Sequence, residues 1–390
     1  MTWDRIPRAL ARKAVRRIVI FRALYLGDMI LASPAFRAIR AGYPDAEITL
    51  IGLPWAAEFA RRFRCEIDRF LEFPGYPGLK EIEVDHERMT LFLQEQRRYD
   101  YDLALQMHGS GRISNRFIAE LGARFTVGYF EGEGPSYLTI ASPYPDGESE
   151  IDRNLGLARL LGCPEAGKKL AFPLFAEDRE EADRHLSRLE DGRPEGLSYA
   201  GREDGRPEGL RHGGWREGPR NRLRIGIHPG SRASSRRWPP ERFAAVADHF
   251  ARRHRAIIVL TGGRDDQETC RAVETNMWSV AVNLAGKTSL GGLAAVVERL
   301  DLFVSNDTGP AHIAGAVDTP SVRIFGPADP ERWAPLNQDW HRVVRRPVAC
   351  SPCSHVECPI DHRCMLWIST DTVVRASEEL LFEGAAACNA

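Results

Sequence analysis

Short apolar runs recur along this chain, and each gives way to a polar, glycine-bearing turn and then to a helical pattern. RIVIFRA (17–23), EITLIGL (47–53) and DLALQMH (102–108) do so in the first half. LRIGIHPG (223–230), AIIVLTGG (256–263), DLFVSNDTG (301–309) and SVRIFGP (321–327) do so in the second. Runs of this length rich in β-branched residues form buried strands, and helices between successive strands imply that the strands lie parallel. Right-handed crossovers then wind helices onto the sheet faces. The chain is thereby predicted to be α/β and doubly wound. Its 390 residues exceed what one core fills, roughly 250 to 300, so two such domains are expected.

The middle breaks the pattern. EDGRPEGL occurs at 190–197 and again at 203–210, within a stretch of Gly, Pro, Arg and Glu that is poor in aliphatic residues. Such a composition cannot bury enough apolar surface to order itself. The expected organisation is a first domain at 1–189, a flexible linker or insertion at 190–222, and a second domain at 223–390 with a Cys-rich segment at 350–364. Ligands of open parallel sheets bind outside the carboxyl ends of the strands, so function is sought in the loops there.

A formal net charge of -1, with 43% hydrophobic and 27% charged residues, gives no global pull toward nucleic acid. No apolar run of membrane-spanning length appears, and the N-terminus lacks the apolar core of a secretory signal, so a cytoplasmic protein is expected. Residues 1–22 carry Arg5, Arg8, Arg12, Lys13, Arg16, Arg17 and Arg22 against Asp4 alone, with Trp3, Ile6 and Leu10 interleaved. Two readings stand for this segment: peripheral contact with an anionic membrane, or a solvated lead-in to the first strand.

Three loops of the second half end strands and open helices: HPGSRASSRRWP, TGGRDDQE and NDTGPAH. Helix N-termini offer free N–H groups and a partial positive charge, so several around one crevice suit a diphosphate. Gly309 permits close backbone approach, and Pro310 suits a first helical turn because it has no N–H to leave unpaired. Asp307 and Thr308 can cap that helix or bind a ligand, and His312 can pack or bind. Arg236 and Arg237 beside the HPGS loop are either a solvated basic turn or a phosphate clamp. In the first half, RALYLGD puts Asp28 at a helix start, as a cap or as a base placed to take a proton from a hydroxyl.

Two familiar motifs fail. AGKT (285–288) ends like a phosphate-binding P-loop but has Ala281 where that pattern needs Gly, and GSGRIS (109–114) has Ser114 where a dinucleotide fingerprint has its third Gly. ACSPCSHVECPIDHRC places Cys350, Cys353, Cys358 and Cys364 close together with His355 and His362. These are reduced thiols in a compact loop or, alternatively, ligands of one structural zinc.

Taken in order, the LGD turn with Ser33 and Pro34, HPGS with RRWPPERF, LTGGRDDQE, NLAGKTSL, SNDTGPAHIAGAVDTPSVRIFGPADPERW and the terminal CSPC, CP and HRCM resemble glycosyltransferase family 9, the bacterial heptosyltransferases of lipopolysaccharide core assembly. The resemblance implies two facing Rossmann-like domains of the B-type glycosyltransferase architecture. It implies metal-independent, inverting transfer from a nucleotide sugar, ADP-heptose or another, to a glycan or glycolipid acceptor of the cell envelope. It makes Asp28 the general base. Ser231, Arg236, Arg237, Asp307, Thr308, Gly309, Pro310 and His312 then hold the donor, with His312 at the rim of a diphosphate cradle. Asp265 or Glu268 would reach its ribose or sugar. No cofactor, metal or nucleic acid is implied. A sugar-nucleotide 2-epimerase and a catalytically silent nucleotide-sugar binding protein are the alternatives; an epimerase would convert the donor without an acceptor.

Overall fold

A computed structural model describes residues 14–187 and 222–383 of the chain. Most of the basic N-terminal segment and the repeat-bearing stretch lie outside the described residues. The chain divides into two compact units, Met1–Pro173 and Leu174–Ala390.

The first unit carries β1 (Arg17–Phe21), β2 (Glu47–Gly52), β3 (Arg69–Glu72), β4 (Leu103–Gln106), β5 (Phe125–Phe130) and β6 (Ile140–Pro143). They form one sheet in the order β3-β2-β1-β4-β5-β6. Its pairs are parallel; β1 lies between β2 and β4, with Ile18 opposite Ile48 and Leu103. Ile18, Val19, Ile20 and Phe21 are all fully buried, which explains why β1 reads as a continuous apolar run and not as an alternation.

The second unit carries β7 (Arg224–His228), β8 (Ile257–Leu260), β9 (Ala281–Asn283), β10 (Leu302–Asn306), β11 (Ser321–Phe325) and β12 (His341–Arg345). The order is β12-β11-β10-β7-β8-β9, again with parallel pairs. Counted within each unit, both sheets run 3-2-1-4-5-6. Strand order therefore reverses between β1 and β4 in one unit and between β7 and β10 in the other, where doubly wound sheets bind ligands.

Two expectations are corrected. The helix expected from Asp28 to Arg40 is two helices, Leu26–Leu31 and Ser33–Gly42, which meet at Ala32. Pro34 has no N–H to donate back, so the hydrogen-bond ladder restarts in its turn. The first domain also ends before residue 189. The helix Ala176–Leu186 belongs to the second unit, where the Glu181 carboxylate accepts from Ser289 N (2.7 Å) and Oγ (2.6 Å) at the start of the helix Leu290–Glu298. Arg179 pairs with Glu298 at the other end of that helix, at 3.0 Å. The sequence boundary followed the change in composition, whereas the chain crosses between units before it.

Candidate functional site

In the first unit the loop after β1 is organised by Arg22, which is 1% exposed. Its Nε and Nη2 donate to Asp28 O at 3.1 and 2.7 Å, and Nη2 also reaches Glu150 Oε1 at 3.3 Å. Its Nη1 donates to Met107 O, at the end of β4, and to Asn154 Oδ1 at 3.0 Å. Arg153 adds a second cation to Glu150 at 3.2 Å. Arg22 thus fixes the backbone of Asp28, whose side chain is partly accessible in the first turn of Leu26–Leu31. Counting Arg22 with the membrane-facing basic run is therefore wrong: a cation with this many buried partners belongs to the scaffold. The signal was an arginine inside the run RIVIFRA.

His108, on the loop after β4, stacks on Phe21 with ring centroids 4.9 Å apart and meets Glu81 at 3.3 Å. Burial works to raise the Glu81 carboxyl, but the contact with His108 outweighs it and holds Glu81 below the usual range. The failed fingerprint GSGRIS closes on itself: Gln106 Nε2 donates to Ser114 Oγ (2.7 Å), which donates to His108 O (2.8 Å).

In the second unit two of the three glycine-bearing loops, NDTGPAH and HPGSRASSRRWP, are tied together by a residue that sequence reasoning had assigned only to a turn. Asn306 ends β10 fully buried. Its Nδ2 donates to Pro229 O at 2.8 Å, and its Oδ1 accepts from Trp238 N at 3.0 Å. One amide therefore joins the HPG loop after β7 to the RRW segment, while the buried Trp238 donates its indole N–H to Ile368 O at 3.1 Å. Arg237 Nε donates to Ser231 O at 2.7 Å and closes the loop that holds buried Ser231.

Asp307, 3% exposed, meets Arg236 Nη1 at 3.3 Å. Thr308 is the N-cap of the helix Gly309–Ala316, yet its side chain makes no capping hydrogen bond, and Pro310 lies in the first turn. The capping role left open for this turn is thus not taken up by Thr308. His312 is 4% exposed, with Nδ1 3.3 Å from Nη1 of the fully buried Arg323 of β11. Burial first, then the charges of Arg323 and Arg236 and the neighbouring His341, hold His312 well below the usual imidazole range, so its ring is neutral.

The TGG loop makes a contact within the unit that the sequence did not show. Glu268 and Asp265 are exposed, and it is Asp266 that turns inward, accepting from Gly263 N at 2.9 Å. A Cβ on Gly230 would lie 2.2 Å from the Asp266 carboxylate, so the HPG loop needs glycine there for this close approach. His228 is buried beside Thr261 Oγ1 at 3.1 Å, and burial lowers its pKa against the pull of Asp266. AGKT forms a turn with Gly286 at φ +71° and Lys287 Nζ on Asn283 O, which is no phosphate loop.

The Cys-rich segment braces the turn that presents Arg236. Val356 O accepts from Ser235 N at 3.0 Å, His355 O accepts from Ser235 Oγ at 2.6 Å, and His362 Nε2 donates to Ser235 O at 2.7 Å. Cys350, Cys353, Cys358 and Cys364 form no disulfide and line one cavity of about 20 Å³ with Ser235 and His362. Among the described residues, the metal-ligand atoms that converge most closely belong elsewhere: His249 and His254 both reach Glu378 Oε1, at 2.9 and 3.1 Å, and fasten the helix Thr370–Glu378 to Pro240–Arg253.

Two doubly wound units with loops of this kind at the sheet ends define a two-domain, Rossmann-like glycosyltransferase of the B-type architecture. The family model described as glycosyltransferase family 9 (heptosyltransferase) matches residues 89–363. The chain belongs to that family and is a glycosyltransferase. It is 32% identical over 327 residues to lipopolysaccharide heptosyltransferase 3 of Escherichia coli, covering 80% of this chain and 84% of that protein. It is 24% identical over 372 residues to lipooligosaccharide heptosyltransferase 2 of Campylobacter jejuni, covering 94% and 98%. The solved structure of a family 9 glycosyl transferase from Veillonella parvula superposes with a TM-score of 0.72 at 22% identity, over 94% of this chain and 97% of that one. E. coli ADP-heptose lps heptosyltransferase II does so with 0.66 at 19%, over 94% and 98%. At these identities the structural likeness shows the fold alone.

Proposed function

We propose that this protein transfers a heptose from a nucleoside-diphosphate heptose, ADP-heptose foremost, to a lipopolysaccharide-type acceptor with inversion at the anomeric carbon. One observation carries the donor side: Asn306 gathers the HPG loop and the RRW segment at the point of strand reversal, beside a helix start whose Thr308 hydroxyl makes no capping bond. The N–H of Gly309 at the start of Gly309–Ala316 and the guanidinium of Arg236 meet the diphosphate, and the helix dipole adds to their field. Asp307 is an anion and would repel phosphate. It serves by holding Arg236 at 3.3 Å and by accepting from sugar hydroxyls.

In the reaction the acceptor hydroxyl attacks the anomeric carbon opposite the diphosphate. Asp28 takes the hydroxyl proton as the new bond forms, and the cations with the helix dipole absorb the charge left on the nucleoside diphosphate. Arg22 contributes by pinning the Asp28 backbone through two hydrogen bonds to its carbonyl. No helix among the described residues is long and apolar enough to cross a membrane. A cytoplasmic enzyme meeting the inner membrane peripherally through its basic N-terminal segment fits a glycolipid acceptor. Removing residues 1–14 should then weaken binding to anionic vesicles.

The test is incubation of the enzyme with ADP-heptose and a heptose-deficient lipopolysaccharide core, with product anomers read by NMR. Transfer with inversion is expected. Retention of configuration, or donor conversion without acceptor, would overturn the reading.

A further inference from the structure

Strand β11 carries SVRIF, and Arg323 at its centre is fully buried. Val322 and Ile324 point into the hydrophobic core of the unit. Side chains alternate along a strand, so Ser321 and Arg323 occupy the opposite face. Register places Arg323 beside Ser305 of β10 and Val343 of β12, with Ser321 beside His341. Against that face lie His312, from the helix Gly309–Ala316, and Asp307, at the end of β10. Arg323 Nε and Nη2 find no hydrogen-bond partner among the described protein atoms. Leaving such donors buried is costly, and a charged group this deep calls for an explanation.

The contact that it does make has only one chemical form. A guanidinium has five donors and no acceptor, so at the 3.3 Å contact Nη1–H donates and His312 Nδ1 must accept. An Nδ1 that accepts carries no proton. A neutral ring then bears its hydrogen on Nε2, leaving Nε2–H as the only polar group that this ring can offer a ligand. The groups facing the imidazole are Arg323 from β11, Arg236 from the Ser234–Arg236 turn and His341 from β12, and they oppose a second proton. The one anion of the group, Asp307, is already met by Arg236.

We propose that Arg323 is a positioning residue that fixes His312 as the neutral Nε2–H tautomer, so that His312 meets the donor's diphosphate or sugar as a hydrogen-bond donor and never as a proton acceptor. This rests on the nucleotide-sugar reading for its purpose, but not for its geometry. Asp28 then remains the base, and no proton passes through His312. An imidazole in this state gives a donation that is constant across the physiological pH range.

The experiment uses the full chain labelled with 15N-histidine, with the His312 resonances assigned by their loss in His312→Gln. The Nε2–H tautomer is expected at every pH from 5 to 8 without any ligand. In Arg323→Met, which removes the donors but keeps the length, His312 should populate the other tautomer. Arg323→Lys should restore most of the wild-type spectrum. In transfer assays His312→Gln, which keeps an N–H donor, should retain activity within about tenfold, and His312→Leu should lose about 100-fold. A wild-type spectrum showing Nδ1–H or imidazolium at pH 7 would overturn the proposal, and so would an Arg323→Met spectrum identical to wild type. Should Arg323→Met fail to fold, the wild-type spectrum and the two His312 variants decide. Because the spectrum is read on the resting protein, absence of sugar transfer would sink the functional reading and leave this one standing.

Discussion

The two sheets share one strand order and differ in what fills the place where that order reverses. Between β1 and β4 stands Arg22, whose hydrogen bonds to two carbonyls, an amide and a carboxylate occupy all its N–H groups. Between β7 and β10 stands the Asn306 amide, with the partly exposed Arg236 above it, held on one side by Asp307. An arginine with every donor satisfied inside the protein is scaffold, whereas one with much of its fork open remains able to bind. The same topology therefore supports a rigid platform under one carboxylate, Asp28, in the first unit and leaves a partly open cation, Arg236, in the second. The residue type alone does not separate these roles; the number of partners does.

The sharpest way to break this contrast is Glu150→Ala. It leaves Arg22 buried without its carboxylate, and a cost of about 3–5 kcal/mol to the first unit is expected, read as lost amide protection in that unit alone. Next in size, Asp28→Asn should lower turnover about 100-fold or more while donor affinity by calorimetry stays unchanged. Equal loss of affinity would show that Asp28 holds substrate and does not take a proton.

A third test uses pH. His228, His312 and His341 of the second unit all have lowered pKa values, chiefly through burial, with His341 held down to about 3. A depressed folded pKa means that the unfolded state binds more protons below the ordinary value of 6.5. The stability these neutral rings contribute is whole above that value and drains away as the pH falls from it toward the folded pKa values. Amide protection in the second unit should drop at least roughly tenfold between pH 6.5 and 5. The first unit, whose lowered groups among those described are Glu81, Glu58, Asp152 and the Arg37 guanidinium, should hold over that window. The smallest effect is expected of Arg236→Gln: a donor KM raised about tenfold with little change in thermal stability, because this cation is partly solvated.

Much of the scaffold was legible in the sequence. The strands β1, β2, β4, β7, β8, β10 and β11 are buried on both faces and so read as largely apolar runs, Arg323 in β11 being the charged exception at mid-strand. The others, such as RFLE, IASP and HRVVR, are short and mixed in character and were not foreseen. The placement of the candidate residues at strand ends and helix starts, from Asp28 to the NDTGPAH turn, was legible because glycine and proline mark such turns. Arg22, Asp266, Asn306 and Arg323 were not. Each is a polar residue whose meaning lies in its spatial neighbours. Glu150 is 128 positions from Arg22, and Trp238 is 68 from Asn306. The boundary between units was misplaced for a related reason: Glu181 and Arg179 declare their unit only by touching Ser289 and Glu298.

The helix Ala176–Leu186 and strand β7 both belong to the second unit, so in sequence the duplicated octapeptide falls between two elements of one unit and not between the units. A change in the number of these repeats alters chain length within that unit and leaves the covalent joint at Pro173 and Leu174 untouched.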